Sequence, residues 1–226
     1  MRAAALVAAC LILAAGCGSD GSSSDSGRAH SSVLKFDAGP GTSSVFVLGN
    51  RSKRVQADEI YRVFERPRKP PEHAIAEQAS EATEAACGAG SVGGEEEGPS
   101  LGEPQAETVR IVLRGVGRHR PHDLVAMTTD HGAAALSLDP KGSTACGQPT
   151  VDGLLFVAEL RKRDAIVYGL VGDEVRAVDL VIDGMTRRAK LGENGFALHI
   201  SNPVGKTLER VLLHNADGSQ TTFPAG

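Results

Sequence analysis

The 226-residue chain has no tryptophan and only two tyrosines, Tyr61 and Tyr168. Sugar-binding faces and base-stacking platforms lean on aromatic rings, so a carbohydrate reader or a single-strand nucleic-acid reader has little to build with. A surplus of positive charge is also missing. The 24 Lys and Arg stand against 28 Asp and Glu, for a net charge of −4. Phosphate backbones are bound by clustered cations, and the basic clusters here, Arg66-Pro67-Arg68-Lys69 and Arg161-Lys162-Arg163, are short. Nucleic acid is therefore not an expected partner. The unbroken apolar run Ala3–Ala15 falls well short of the roughly 18 residues a spanning helix needs. No glycine loop shaped for phosphate and no helical histidine pair stands out, and strand and helix do not alternate in βαβ order. Nucleotide-binding, Rossmann and two-lobed solute-binding folds are set aside on that ground.

The N-terminus carries the most specific pattern. Arg2 is the only charge ahead of the apolar run, and the run ends in Ala14-Ala15-Gly16-Cys17. A short positive region followed by an apolar stretch of this length has the form of an export signal. The four residues at its end resemble the lipobox of bacterial lipoprotein signal peptides, with Ala14 where leucine is usual and Leu13 one place earlier. The resemblance implies that residues 1–16 are removed and that the Cys17 thiol carries a diacylglyceryl group. The chain would then be held by lipid on the extracytoplasmic face of the cell membrane. Each buried methylene adds about 0.8 kcal/mol, so two or three acyl chains hold far more firmly than one. Residues 17–30, dominated by Gly, Ser and Asp after the cysteine, cannot build a core and read as a flexible tether spanning roughly 20 Å.

If Cys10 leaves with the signal and Cys17 is acylated, Cys87 and Cys146 remain. Their spacing fits no close zinc knuckle. In an oxidising compartment a Cys87–Cys146 disulfide is the first reading, and two free thiols the other.

Residues 31–104 read as a partly helical region ending in a breaker-rich loop. "VLKF" and "VFVL" are short strands or ordered loop. "QADEIYRVFERP" reads as a helix with Asp58 as N-cap and Pro67 as terminator. "EHAIAEQASEATEAACG" reads as a second helix that gathers Ile75, Ala79, Ala82 and Ala86 on one side. Beyond residue 105 the pattern changes to period two. Short apolar runs recur at roughly ten-residue spacing through residue 226, with hairpin marks at Asp183-Gly184 and Asp217-Gly218. The expected fold class is mainly β, an antiparallel sandwich or barrel, with a short N-terminal helical region: α+β overall.

Within the β region, Gly169, Leu170, Val171, Asp173, Val175, Asp183, Gly184, Asn194 and Phe196 form a turn, strand, hairpin and Asn-x-Phe strand. This segment resembles a β-rich segment of uncharacterised secreted proteins of actinobacterial type. Gly172 and Glu174 stand where that pattern has Pro and Gly. The resemblance implies a fold and no activity.

Groups that could carry chemistry are few. Gly98-Pro99-Ser100-Leu101-Gly102 matches the nucleophile-elbow string, but that motif needs a buried strand before it and a helix after it. His119, His122, Asp123 and His131 supply imidazole and carboxylate donors of the kind zinc accepts. They follow no established metal signature, and Arg114, Arg118 and Arg120 lie close in sequence. The alternative is a solvated polar turn. Asp173 and Glu174 are adjacent in a turn, where their carboxylates need not converge as a glycosidase pair must. No cofactor is expected. Two functions follow. The first is a lipid-anchored cell-envelope protein whose β domain is a non-catalytic binding or structural module, with an envelope protein or the cell wall as partner. The second is an extracytoplasmic metal-assisted hydrolase using the region His119–His131.

Overall fold

The computed structural model describes residues 34–36, 43–48, 54–88, 100–117, 121–142, 144–161 and 163–225. Cys17, the expected signal and tether, and His119 lie outside the described residues. Residues Ser31–Gly226 form one compact unit. Among the described residues no helix is long and apolar enough to cross a membrane.

The fold is mainly β, as the periodicity predicts, and its sheets are antiparallel throughout. Three sheets are stacked in an antiparallel sandwich. The middle sheet has the order β11 (Lys190–Leu191), β12 (Gly195–Ser201), β8 (Asp164–Leu170), β7 (Leu154–Leu160), β2 (Ser43–Leu48). On one side lies a sheet of β1 (Leu34–Lys35), β13 (Thr207–Asn215), β9 (Val175–Ile182) and β10 (Met185–Arg188), with β14 (Gln220–Pro224) also paired to β13. On the other lies the meander β3 (Arg110–Val116), β4 (His122–Thr128), β5 (Ala134–Leu138), β6 (Thr144–Gly147). Strands from both expected parts, 31–104 and 105–226, share these sheets: β1 pairs with β13 and β2 with β7.

Successive strand residues point to opposite faces, so a sheet covered on both sides needs apolar residues without a break. Leu154–Ala158 and Ala165–Leu170 are such runs. Phe156, Ala158, Ala165 and Val167 face one core, shared with Val178, Leu180 and Val211. Their neighbours Leu155, Val157, Ile166 and Tyr168 face a second core, shared with Leu124 and Leu136. Fully burying a large apolar side chain contributes roughly 1.5–3 kcal/mol, so the middle sheet, buried on both faces, is where the fold's stabilisation concentrates. Phe156 and Phe196 stand directly beside Gly169 on the flanking strands. A Cβ at Gly169 would lie 2.7 Å from the Phe196 ring.

The outer face of the meander packs on helix α2 (Pro70–Thr83), through Ala76 and Ala79 against Val125, Met127 and Ala135. The buried stripe runs Glu72, Ala76, Ala79, Thr83, Cys87, a helical repeat one residue off the predicted Ala82 and Ala86. The first predicted helix is broken instead into α1 (Ala57–Ile60) and a 3-10 turn, Arg62–Phe64, with Tyr61 extended between them. Tyr61 leaves helical geometry and is itself wholly buried in the second core. Gln56 takes the N-cap position, and Asp58 falls inside the first turn. At Asp183-Gly184 both residues adopt positive φ, 49° and 73°, which is the two-residue hairpin the pair predicts.

Candidate functional site

The segment from α1 to α2 is held by two buried charges. The Arg110 guanidinium, at the start of β3, donates to five carbonyls: Val63 at 3.0 Å, Phe64 at 2.9 Å, Arg66 at 2.6 Å, Glu107 at 2.8 Å and Val109 at 2.9 Å. Glu72 opens α2 after Pro70 and Pro71. Its carboxylate accepts from the Lys69 N–H at 2.5 Å, the Ile111 N–H at 3.0 Å and both Nη of Arg66. Burial opposes its ionisation, but the Arg66 guanidinium and the two backbone N–H groups prevail and hold its pKa at about 2. The far edge of Arg66, its Nε, donates to Glu193 at 2.7 Å, and Lys69 reaches the same carboxylate at 2.7 Å.

Fixed in this way, the segment forms one wall of a cleft. The opposite walls are the turn between β8 and β9, Val171–Glu174, and the turn between β11 and β12, Gly192–Asn194. Asn194 joins all three. Its Nδ2 donates to the Val171 carbonyl at 2.9 Å and to Asp173 Oδ1 at 2.8 Å, and its Oδ1 accepts from the Val63 N–H at 3.2 Å. Asp173 Oδ1 also accepts from the Arg62 N–H at 3.1 Å, and Arg62 Nε lies 3.3 Å from Oδ2. Arg176 donates to the Asp173 carbonyl at 3.1 Å. Arg62, Asp173 and Arg176 thus divide the cleft into two adjoining hollows, of about 320 Å³ and 530 Å³. The larger is also lined by Glu59, Glu174, Ile60 and the exposed Val151. Beside that wall, the buried Tyr61 hydroxyl has no partner among the described residues. Burial first, and then the Glu174 carboxylate, push its pKa up, so it remains a donor.

The residues singled out for chemistry lie elsewhere. Cys87 and Cys146 form a disulfide with a Cα–Cα distance of 5.8 Å. Cys146 sits in strand β6, whereas a glycine-rich turn was expected there. His122 and Asp123 begin β4, and His131 lies in the turn beyond its far end. Seven extended residues separate those ends by roughly 20 Å. His122 and Asp123 are therefore not brought together with His131, and among the described residues no metal-holding group of three donors is gathered. Both His122 nitrogens are engaged: Nδ1 with the Asp139 carboxylate, and Nε2 as acceptor of the Arg161 guanidinium at 3.1 Å. A ring nitrogen that accepts from a guanidinium has its lone pair occupied and offers none to a metal. Asp123 accepts from the Gly115 N–H at 3.3 Å, and His131 Nδ1 meets the Ser100 carbonyl at 3.2 Å. The Ser100 hydroxyl accepts from the Gly102 N–H at 3.2 Å; Gly98 and Pro99 of the elbow string lie outside the described residues.

Comparison with models of known protein families, with curated proteins and with solved structures finds no match. The cleft was not anticipated as a site, although four residues of the secreted-protein resemblance, Val171, Asp173, Val175 and Asn194, turn out to line it. A readable signal did exist for Glu72. Two prolines followed by glutamate at the third helical position mark a helix start.

Proposed function

We propose that the chain is an exported cell-envelope protein, anchored by lipid on Cys17 at the extracytoplasmic face of the membrane, whose β domain is a non-catalytic binding module. The observation that carries the export reading is the Cys87–Cys146 disulfide, since structural disulfides persist outside the reducing cytoplasm. The binding reading is supported by the cleft. Its polar groups are held by one another at fixed distances, and preorganised polar groups in a hollow of this size are what small-ligand sites use.

Metabolic labelling with a fatty acid should mark the wild-type protein and place it in the detergent phase. Cys17→Ala should carry no label and partition into the aqueous phase. Label on Cys17→Ala would overturn the anchor. In intact cells, a photo-crosslinker placed at Val151, on the rim of the larger hollow, should trap a discrete envelope component. A crosslinker that traps nothing there removes support for binding at this cleft.

A further inference from the structure

The charges around the cleft do not all cancel. Arg66 is spent on Glu72 and Glu193, and Lys69 also holds Glu193. Asp173 is spent on Arg62 and Asn194. Three charged groups are left over. Arg176, which lines both hollows, touches only a backbone carbonyl. Glu59 and Glu174, which line the larger hollow, have no cationic partner among the described residues. The cleft therefore has a guanidinium pair, Arg62 and Arg176, at its middle and two uncompensated carboxylates along the larger hollow. A guanidinium binds a carboxylate through parallel N–H donors, and a carboxylate binds an ammonium.

We propose that the paired hollows bind a small zwitterion of short-peptide size, its carboxylate on Arg176 and its ammonium on Glu174 and Glu59. Ile60 and the exposed Val151 supply apolar contact for the part between the charges. The proposal rests on the binding-module reading and is independent of the lipid anchor.

The test uses the purified acylated protein in detergent and titration calorimetry with three probes: trialanine with free ends, N-acetyl-trialanine and trialanine amide. Trialanine should bind saturably. Blocking either end should weaken binding about tenfold, the loss of one charge-assisted contact. In Arg176→Gln the free peptide and the amide should bind alike, and in Glu174→Gln the free peptide and the acetylated peptide should bind alike. Both side chains are exposed and outside the cores, so the variants should melt as wild type does. The proposal is overturned if trialanine does not saturate, if neither the acetyl nor the amide block weakens binding, or if each variant keeps its full sensitivity to the block. Failure here with a crosslink still formed at Val151 would remove the zwitterion and leave a binding module.

Discussion

Glu72 shows how one side chain can decide a local structure. Its carboxylate is almost wholly buried and meets Arg66, the first turn of α2 and the edge of β3 at once. A buried charge that loses its partner costs about 3–5 kcal/mol, more than the pair itself contributes, because the remaining charge stays desolvated. Glu72→Gln should therefore destabilise the protein by about 3 kcal/mol at neutral pH, measured by denaturant unfolding. The acid limb of stability should change with it. The folded carboxyl titrates near about 2 and the unfolded one near its ordinary 4.5, so as pH falls the unfolded chain takes up the proton first. The contribution is complete above about pH 4.5 and is lost as pH falls toward about 2. Wild type should lose stability across that window and Glu72→Gln should lose less. Parallel pH profiles would show that the carboxylate is not what ties the segment down.

At the scale of elements, α2 is the weakly held piece. The residues it turns inward are mostly alanine, and small side chains bury little area. The disulfide at its end compensates by pinning it to strand β6. Closing a loop with a sequence separation of 59 contributes about 4 kcal/mol in the chain-entropy view. Cys87→Ser should accordingly free α2 first. Hydrogen exchange and proteolysis should rise between residues 60 and 88 while the amides of β7 and β8 stay protected. Simultaneous loss of protection in α2 and the middle sheet would mean the helix is no separate unit. Thiol counting on unreduced, denatured protein should find Cys87 and Cys146 both blocked.

For the whole molecule, the middle sheet couples the two principal cores, because β7, β8 and β12 contribute residues to both. Gly169 lies at its centre with Phe156 and Phe196 closed over it. A Cβ there would come within 2.2 Å of the Leu155 carbonyl, which is backbone and cannot swing aside. Gly169→Ala should destabilise the protein by about 2 kcal/mol, with both faces of the sheet lost in one cooperative transition. Urea unfolding followed at two probes, one near Phe223 and one near Tyr61, should show coincident midpoints lowered together. Separate midpoints would mean that the two cores unfold independently.

The period-two runs, the Asp-Gly hairpin and the helix start at Pro70-Pro71-Glu72 were legible because each depends on the geometry of a few neighbouring residues. So was the strand class of β4, β7, β8 and β9. The unbroken runs Leu154–Ala158 and Ala165–Leu170 even hinted at a doubly covered sheet, but covering requires partners far away in sequence, and no local rule names them. The break at Tyr61 was invisible for the same reason: the ring leaves the helix to fill a hole lined by Leu155 and Leu170. His122, Asp123 and His131 are near in sequence, yet the extended strand β4 carries His131 away from the other two. The cleft is the converse. Arg62, Asp173 and Asn194 lie up to 131 residues apart along this network, counting from Val63 to Asn194, and only the stacking of sheets brings them within hydrogen-bond reach. Residue types along the chain determined the strand class and the turns, because each is a property of contiguous residues. Tertiary structure alone decided the three-sheet stack and the charged cleft, because long-range packing sets which side chains meet.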